Sequence, residues 1–180
     1  METIESLILK DSRRMEMLKM VAGLPQEDCY IAAGFVRNLV WDYLHQDCIH
    51  LASALNDVDV IFFDAQDNNH NCAEILQSEL MAVDASIPWQ VKNQAHMHLK
   101  NNDQAYKSCG DAMTYWPEKE TAVAVRLNQQ GDIEVLAPFG VGSLFNGLVS
   151  HNPKRDKSTF LKRVNHKGWL NTWPKLKLIV

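Results

Sequence analysis

Apolar residues in the first third of the chain recur at two different spacings. A spacing of three or four residues places apolar side chains on one face of a helix, whereas short continuous apolar runs are typical of buried strands. Gly23 and Pro25 end the first helical pattern, and Gly34 separates the first apolar run from the second helical pattern. These patterns predict an opening helix over residues 2–20 within an N-terminal segment 1–24, a strand over 30–33, a helix over 35–45, a loop over 46–56 and a strand over 56–64.

The rest of the chain continues the alternation and then adds a hairpin. Two β-rich runs, 121–127 and 132–137, flank a short polar loop that contains Gly131, which is the usual signal of a β-hairpin. The remaining predicted elements are a helix over 72–83, a strand over 89–94, a polar loop over 101–110 and a helix over 158–167. We therefore predict an α/β (α+β) fold in which a mixed β-sheet is flanked by helices, in a single domain spanning residues 1–180.

Composition and charge narrow the functional classes. Apolar residues make up 46% of the 180 residues and charged residues 22%, which is typical of a globular protein. The sequence has no apolar run of the roughly 20 residues that a membrane-spanning helix needs, and the N-terminus lacks the pattern of a secretory signal. The four cysteines are far apart with no Cys-x-x-Cys pair, so we expect reduced thiols, a cytoplasmic location and no membrane partner.

The strand over residues 56–64 carries two acidic side chains at one end. Because side chains alternate along a strand, Asp57 and Asp59 project from the same face, and Val58 and Val60 from the other. A divalent cation between the two carboxylates would remove their repulsion, and Mg²⁺ is often held by one or two carboxylates together with substrate phosphates. The alternative is that both acids are ordinary solvent-facing residues at a strand edge.

The segment before this strand adds an anion site to the pattern. Gly34 lies at the junction of a predicted strand and a predicted helix, where glycine permits a close backbone approach and unusual dihedral angles. The N-terminus of the following helix presents free N–H groups and the positive end of its dipole, which favour phosphate. A phosphate cradle beside a metal site is the arrangement that nucleotidyl transfer requires.

Several motifs together resemble a known family. Residues 33–38, Ala-Gly-Phe-Val-Arg-Asn, look like the Gly-Gly-x-Val-Arg-Asp signature of the polymerase-beta-type nucleotidyltransferase superfamily, which includes tRNA CCA-adding enzymes and poly(A) polymerases. Residues 57–60 match the acidic strand of that superfamily. More closely, the chain resembles a largely uncharacterised bacterial family of predicted nucleotidyltransferases, through stretches that extend from Tyr30 to the C-terminus. These stretches include residues 89–98, 137–140, 152–153 and 160–174.

The resemblance implies a set of site residues. Asp57 and Asp59 would be catalytic and would hold Mg²⁺ or Mn²⁺, and Glu134 is our candidate for a third catalytic acid. The implied nucleotide-binding residues are Gly34, Phe35, Arg37, Lys92, Asn93, Arg163 and Lys167.

The chain also departs from the superfamily pattern. Ala33 stands where the first Gly is usual, and Asn38 stands where the tRNA enzymes have Asp. The strand after the acidic one carries Lys92 and Asn93 where an acid would be expected. A role in tRNA processing therefore does not carry over to this chain from the resemblance.

The segment 151–180 has a different charge from the rest of the chain. It contains eight basic residues and one acid, whereas the whole chain has a net charge of −4. Such asymmetry is typical of a phosphate or nucleic-acid partner. Arg163 and Lys167 lie four residues apart and share one face of the predicted helix, so they would approach a nucleoside triphosphate. The alternative is a solvated basic helix that packs through Phe160 and Leu161.

The hypothesis from the sequence is a metal-dependent nucleotidyltransferase. It would move a nucleoside monophosphate from a nucleoside triphosphate to an unidentified hydroxyl acceptor. The alternative is a catalytically inactive nucleotide-binding or interaction module with the same fold. RNA binding through the basic segment is a third hypothesis, which the acidic remainder of the chain disfavours.

Overall fold

The computed structural model describes residues 2–47 and 53–180. Its helices are α1 (Ile4–Leu9), α2 (Ser12–Ala22), α3 (Gly34–Leu44), α4 (Cys72–Val83), α5 (Met97–Asn101), α6 (Cys109–Met113), α7 (Gly142–Phe145), α8 (Lys157–Lys167) and α9 (Trp169–Thr172). Its strands are β1 (Tyr30–Ala32), β2 (Val58–Phe62), β3 (Trp89–Asn93), β4 (Ala124–Leu127), β5 (Ile133–Leu136), β6 (Leu148–Ser150) and β7 (Lys177–Ile179). Short 3₁₀ turns lie at Gln94–His96 and Lys119–Thr121.

Five of the strands form one mixed sheet in the order β3-β2-β1-β4-β5. Strands β2 and β3 run parallel, while β1 is antiparallel to both β2 and β4, and β4 is antiparallel to β5. Strands β6 and β7 form a separate parallel pair. The predicted mixed sheet flanked by helices is therefore confirmed, as is the hairpin, which is β4 and β5.

The two faces of the sheet have different environments, because side chains alternate along each strand. Val58, Val60 and Phe62 project into the main hydrophobic core. Asp59 and Ile61 project from the opposite face, where the partner of Asp59 on β1 is the small side chain of Ala32. The small side chain of Ala32 leaves room above this face. Asp57 and Asp59, called the acid pair below, lie at the edge of that space.

The N-terminal segment differs from the prediction of one opening helix. It forms two helices, α1 and α2, that are separated at Asp11. The Asp11 carboxylate accepts a hydrogen bond from the backbone N–H of Arg14 and so caps the start of α2. Aspartate side chains readily bond to nearby backbone N–H groups, so aspartate favours the cap of a helix over its interior. The spacing of apolar residues does not show this preference, so the sequence pattern missed the break at Asp11.

Most of the other predicted elements agree closely with the structure. Helix α4 has the predicted bounds, and α8 begins one residue earlier than predicted because Asp156 caps it. The predicted loop 101–110 is wrong at its end, where Ser108 caps a short helix that begins at Cys109. The predicted loop 46–56 lies partly outside the described residues. Among the described residues, no helix is long and apolar enough to cross a membrane.

Three tryptophans attach the C-terminal segment to helix α3. The Trp41 ring meets Trp169 and Trp173 edge to face, with ring centroids 5.5 and 5.0 Å apart. The Trp173 indole also donates a hydrogen bond to Asp42 on α3, at 2.8 Å. These contacts hold the segment that follows α8 against the C-terminal half of α3.

Candidate active site

A cleft of about 440 Å³ lies on the sheet face that carries Asp59. Its walls come from the start of α3, the ends of β2 and β3, the segment after α6, and helix α8. Seven of the residues that the sequence predicted for the site line this cleft: Gly34, Arg37, Asp57, Asp59, Lys92, Arg163 and Lys167. Their common location is a structural fact, and their roles in binding or catalysis stay predictions.

The junction between β1 and α3 is strained at Ala33, one residue before the glycine. Ala33 has φ 57° and ψ −119°, a conformation that favours glycine, and it is held there by its N–H bond to Val123. The unusual dihedral angles that Gly34 would permit at this junction are therefore found one residue earlier, at Ala33, and Gly34 begins the helix. A Cβ added to Gly34 would make only ordinary contacts, with the nearest atom of Arg37 at 3.5 Å.

The start of helix α3 faces the cleft without a side-chain cap. Ala33 offers no side-chain acceptor, and the first amides of a helix have no acceptor within the helix. These amides and the positive end of the helix dipole give the wall formed by Gly34 a preference for anions.

Arg37 places a buried cation one turn into the same helix. It is 7% exposed, and its guanidinium donates to Thr121 Oγ1 at 2.7 Å and to Asn38 Oδ1 at 2.9 Å. The guanidinium lies over the Trp169 ring, 4.4 Å from its centroid, and its Nε has no hydrogen-bond partner. Burial lowers the pKa of Arg37 to about 10, so the group keeps its charge at neutral pH.

No carboxylate within the described part of the chain lies at ion-pair distance from the Arg37 guanidinium. Glu118, Asp57 and Asp59 act on this charge only from beyond that distance, so an anion in the cleft would give the buried guanidinium a direct partner.

The two carboxylates of the acid pair each lie next to a lysine. Lys92 Nζ lies 2.7 Å from Asp59 Oδ1 and also donates to Gln90 Oε1 at 3.1 Å. Lys167 Nζ lies 4.0 Å from Asp57 Oδ2. The acids and their lysines are all partly exposed, as groups on the wall of a cleft would be.

Helix α8 contributes one face to the cleft. Thr159, Arg163 and Lys167 are spaced by four residues and all line it, which agrees with the predicted common face of the last two. Arg163 is anchored by the fully buried Glu118, whose carboxylate accepts its Nε–H at 2.7 Å. Since the Arg163 side chain is 41% exposed, Glu118 holds it at the cleft surface.

Comparison with known proteins identifies the family. Residues 19–178 match the model of a protein family described as nucleotidyltransferase. The chain belongs to this nucleotidyltransferase family. Family membership supports nucleotidyl transfer in general, and it confirms the resemblance that the motifs indicated. No curated protein matches the chain.

Solved structures agree with the family and the fold. An NMR structure described as revealing a CCA-adding enzyme head domain has a TM-score of 0.83 and 30% identity, and the match covers 97% of this chain and 93% of that one. CCA-adding enzymes in complex with CTP and with ATP have TM-scores of 0.54 and 0.52 at 12% and 14% identity. These matches cover 95% and 97% of this chain but 48% and 49% of theirs, so the chain spans about half the length of those enzymes.

Three of the residues predicted for the site do not line the cleft with their side chains: Phe35, Asn93 and Glu134. The Phe35 side chain is fully buried in the main core. The Asn93 side chain is also buried, and it bonds to the backbone N–H and C=O of Asp64 and to the N–H of Ala95. Phe35 can therefore contribute only backbone groups, and Asn93 supports the end of β3 instead of lining the cleft.

Glu134 lies away from Asp57 and Asp59. It lies on β5, the edge strand three positions from β2 in the sheet, and it lines a separate cleft of about 430 Å³. Its carboxylate accepts from Arg126 Nε at 2.7 Å and from Asn128, and these hydrogen bonds lower its pKa. The pattern around Glu134 is that of a strand residue, and only the strand order shows that this strand is remote from the acid pair.

The far end of the cleft contains residues that the sequence did not indicate. Arg155 donates two hydrogen bonds to Asp103, at 2.9 and 2.6 Å, and another to the backbone carbonyl of Tyr115. Tyr106 and Tyr115 pack with ring centroids 5.0 Å apart. Arg155 and Asp103 are 52 residues apart in the sequence, so no local pattern could have joined them.

The described residues contain no group of three or more His, Cys, Asp or Glu side chains that could hold a metal ion. The acid pair thus offers two carboxylates and, in the described part of the chain, no third.

Proposed function

We propose that the protein transfers a nucleoside monophosphate from a nucleoside triphosphate to a hydroxyl acceptor and releases pyrophosphate. The observation that supports this proposal is the common cleft: the uncapped start of α3, the unpaired Arg37 cation and the acid pair all line one cavity. Each feature alone has an ordinary structural explanation. Together, in a member of a nucleotidyltransferase family, they provide a phosphate cradle beside two carboxylates.

The triphosphate would bind along the positively charged wall. The first amides of α3 and the Arg37 guanidinium would take phosphate oxygens, and Arg163 and Lys167 on α8 would neutralise further negative charge. These groups are held in place before substrate arrives, Arg37 by Thr121 and Asn38, and Arg163 by Glu118. Donors positioned in advance stabilise the charge that develops during phosphoryl chemistry.

The acid pair fits a divalent cation. Mg²⁺ is often bound by one or two carboxylates with substrate phosphates completing its coordination, and Asp57 and Asp59 offer two carboxylates next to the phosphate wall. Nucleotidyltransferases generally use divalent metals, which agrees with this donor set. When bound, the cation would activate the acceptor oxygen and stabilise the leaving phosphates.

The proposed transfer exchanges one bond at the α-phosphorus for another. The acceptor oxygen forms a bond to the α-phosphorus, and the bond from that phosphorus to the α–β bridging oxygen breaks with its electron pair on pyrophosphate. The proton of the acceptor hydroxyl goes to a carboxylate of the acid pair. Arg37 and Arg163 would contact the oxygens of the departing pyrophosphate. The negative charge that builds up on those oxygens would then face a cation.

A labelling experiment tests the proposal. The protein is incubated with α-³²P-labelled ATP, GTP, CTP and UTP, Mg²⁺ or Mn²⁺, and a cell extract as the source of acceptors. We expect label on an acceptor, and its loss when Asp57→Asn and Asp59→Asn are combined. The matched control is Asp132→Asn, the same chemical change at an exposed residue of the β4–β5 turn. Label that persists in the double variant would contradict the assignment of the acid pair.

One observation favours the alternative of a catalytically inactive nucleotide-binding module. Both carboxylates lie near lysine ammoniums, and the described cleft residues include no third acid. Nucleotide binding without transfer under either metal would support the module. Whether the protein is a transferase or an inactive module, we infer that residues 1–180 act as one domain. The walls of the cleft come from both halves of the described chain.

A further inference from the structure

Lys92 occupies the position next to Asp59 that a cation would take. On the parallel strands β2 and β3, Asp59 is in register with Gln90, and Ile61 with Lys92, so all four side chains project from the cleft face. The Lys92 ammonium lies 2.7 Å from Asp59 Oδ1, which is a full ion-pair contact, and Gln90 Oε1 accepts a second hydrogen bond from it. An amide and a carboxylate therefore hold the ammonium between them.

The charges at this corner of the cleft cancel. Asp57 and Asp59 carry two negative charges, and Lys92 and Lys167 carry two positive charges at 2.7 and 4.0 Å from them. A divalent cation is drawn to a site mainly by net negative charge, and a nearby ammonium opposes it. We therefore expect Asp57 and Asp59 to attract free Mg²⁺ or Mn²⁺ less strongly than two carboxylates without neighbouring lysines would.

We propose that Lys92 is a placeholder cation that keeps the acid pair from binding a divalent metal until a nucleotide arrives. The triphosphate offers the ammonium a second set of oxygens, so Lys92 releases Asp59 and contacts phosphate, and Asp59 becomes available to the metal that accompanies the nucleotide. Metal binding then depends on the nucleotide. This inference rests on the proposed function for the nucleotide part, but its metal part concerns the nucleotide-free protein alone.

The exposure of the pair is compatible with this exchange. The Lys92 side chain is 40% exposed and that of Asp59 is 21% exposed, so the ammonium can leave without creating a buried unpaired charge. Arg14, by contrast, is 4% exposed and is held by Asp11 and by the Phe35 carbonyl. An ion pair at the surface of a cleft is weak enough to be replaced by contacts to a triphosphate.

The test measures binding of Mn²⁺ alone to the nucleotide-free protein by electron paramagnetic resonance. We expect Lys92→Met to bind Mn²⁺ at least tenfold more tightly than the wild type, and the gain to disappear when Asp59→Asn is added. Lys100→Met is the matched control, because it removes the same charge at an exposed position outside the cleft. Lys92→Gln repeats the experiment if the methionine variant fails to fold, as judged by circular dichroism.

A second measurement, of ATP affinity, should change in the direction opposite to the Mn²⁺ affinity. In EDTA, we expect Lys92→Met to bind ATP at least threefold more weakly than the wild type, because the phosphate contact is lost while the metal is absent. A purely structural role would weaken both ligands together. The proposal is overturned if the wild type and both Lys92 variants bind Mn²⁺ equally well. It is also overturned if Lys92→Met binds ATP in EDTA as tightly as the wild type does. A gain in Mn²⁺ affinity in a protein that transfers no nucleotide supports the placeholder and refutes the transferase.

Discussion

The ion pair between Arg155 and Asp103 provides a strong test of how the far end of the cleft is held. The side chains are 16% and 12% exposed, and two hydrogen bonds join them, with the Tyr106 hydroxyl donating to the same carboxylate. Asp103→Asn removes the negative charge and leaves the Arg155 guanidinium largely buried beside Tyr115. Breaking a buried pair costs about 3–5 kcal/mol, and partial exposure reduces that to about 2–3 kcal/mol.

The assay is thermal and urea unfolding of Asp103→Asn, Arg155→Met and the double variant. At about 2–4 °C per kcal/mol for a chain of this size, we expect Asp103→Asn to lower Tm by roughly 5–10 °C. The double variant should be more stable than Asp103→Asn, because it removes the unpaired charge. If the stability lost in the double variant equals the sum of the losses in the two single variants, the view that the two residues act as a pair is refuted.

The pH dependence gives an independent check of the same pair. Hydrogen bonds from Arg155 hold the pKa of Asp103 below its usual value, so the folded state binds a proton there less readily than the unfolded state. The stabilisation is thus complete above the usual value of 3.8 and is lost as pH falls through the lower folded pKa. Asp103→Asn should lack this component of acid sensitivity. An identical acid unfolding profile in the variant would contradict the assignment.

Two further predictions concern the start of α3. Ala33→Val should lower the free energy of unfolding by about 1–3 kcal/mol relative to Ala33→Gly, because a β-branched residue is strained at φ 57° and glycine is not; urea unfolding of both variants checks this. Arg37→Lys should weaken ATP binding about tenfold in calorimetry, since an ammonium cannot donate to Thr121 and phosphate in the same fork geometry. Arg13→Lys, at an exposed arginine, is the control, and equal affinities would contradict a phosphate role for Arg37.

Local sequence signals were sufficient wherever neighbouring residues decide the structure. The hairpin of β4 and β5 and helix α4 follow from turn residues and apolar periodicity within about fifteen residues. The junction between α1 and α2 was missed because one capping aspartate outweighs an apolar pattern that continues across it.

The parts of the site that the sequence missed depend on strand order and on contacts between distant residues. Glu134 has the local pattern of an acid on a strand, yet its strand is at the opposite edge of the sheet from β3. Arg155 reaches the cleft through partners about 40 to 52 residues away. Asp57, Asp59 and Gly34 line one cleft, as the sequence predicted, because the two short motifs that carry them lie on or beside strands that are adjacent in the sheet.

The three tryptophans that join α3 to the end of the chain have a consequence for the chemistry. The Trp169 ring packs on Trp41 and also covers the Arg37 guanidinium. One indole therefore both attaches the C-terminal segment to α3 and shields the cation that we propose binds phosphate. Removing this ring would uncover the Arg37 guanidinium to water, which would weaken the interaction of that cation with an anion. A change at an indole outside the acid pair would therefore lower the affinity for polyanions through Arg37.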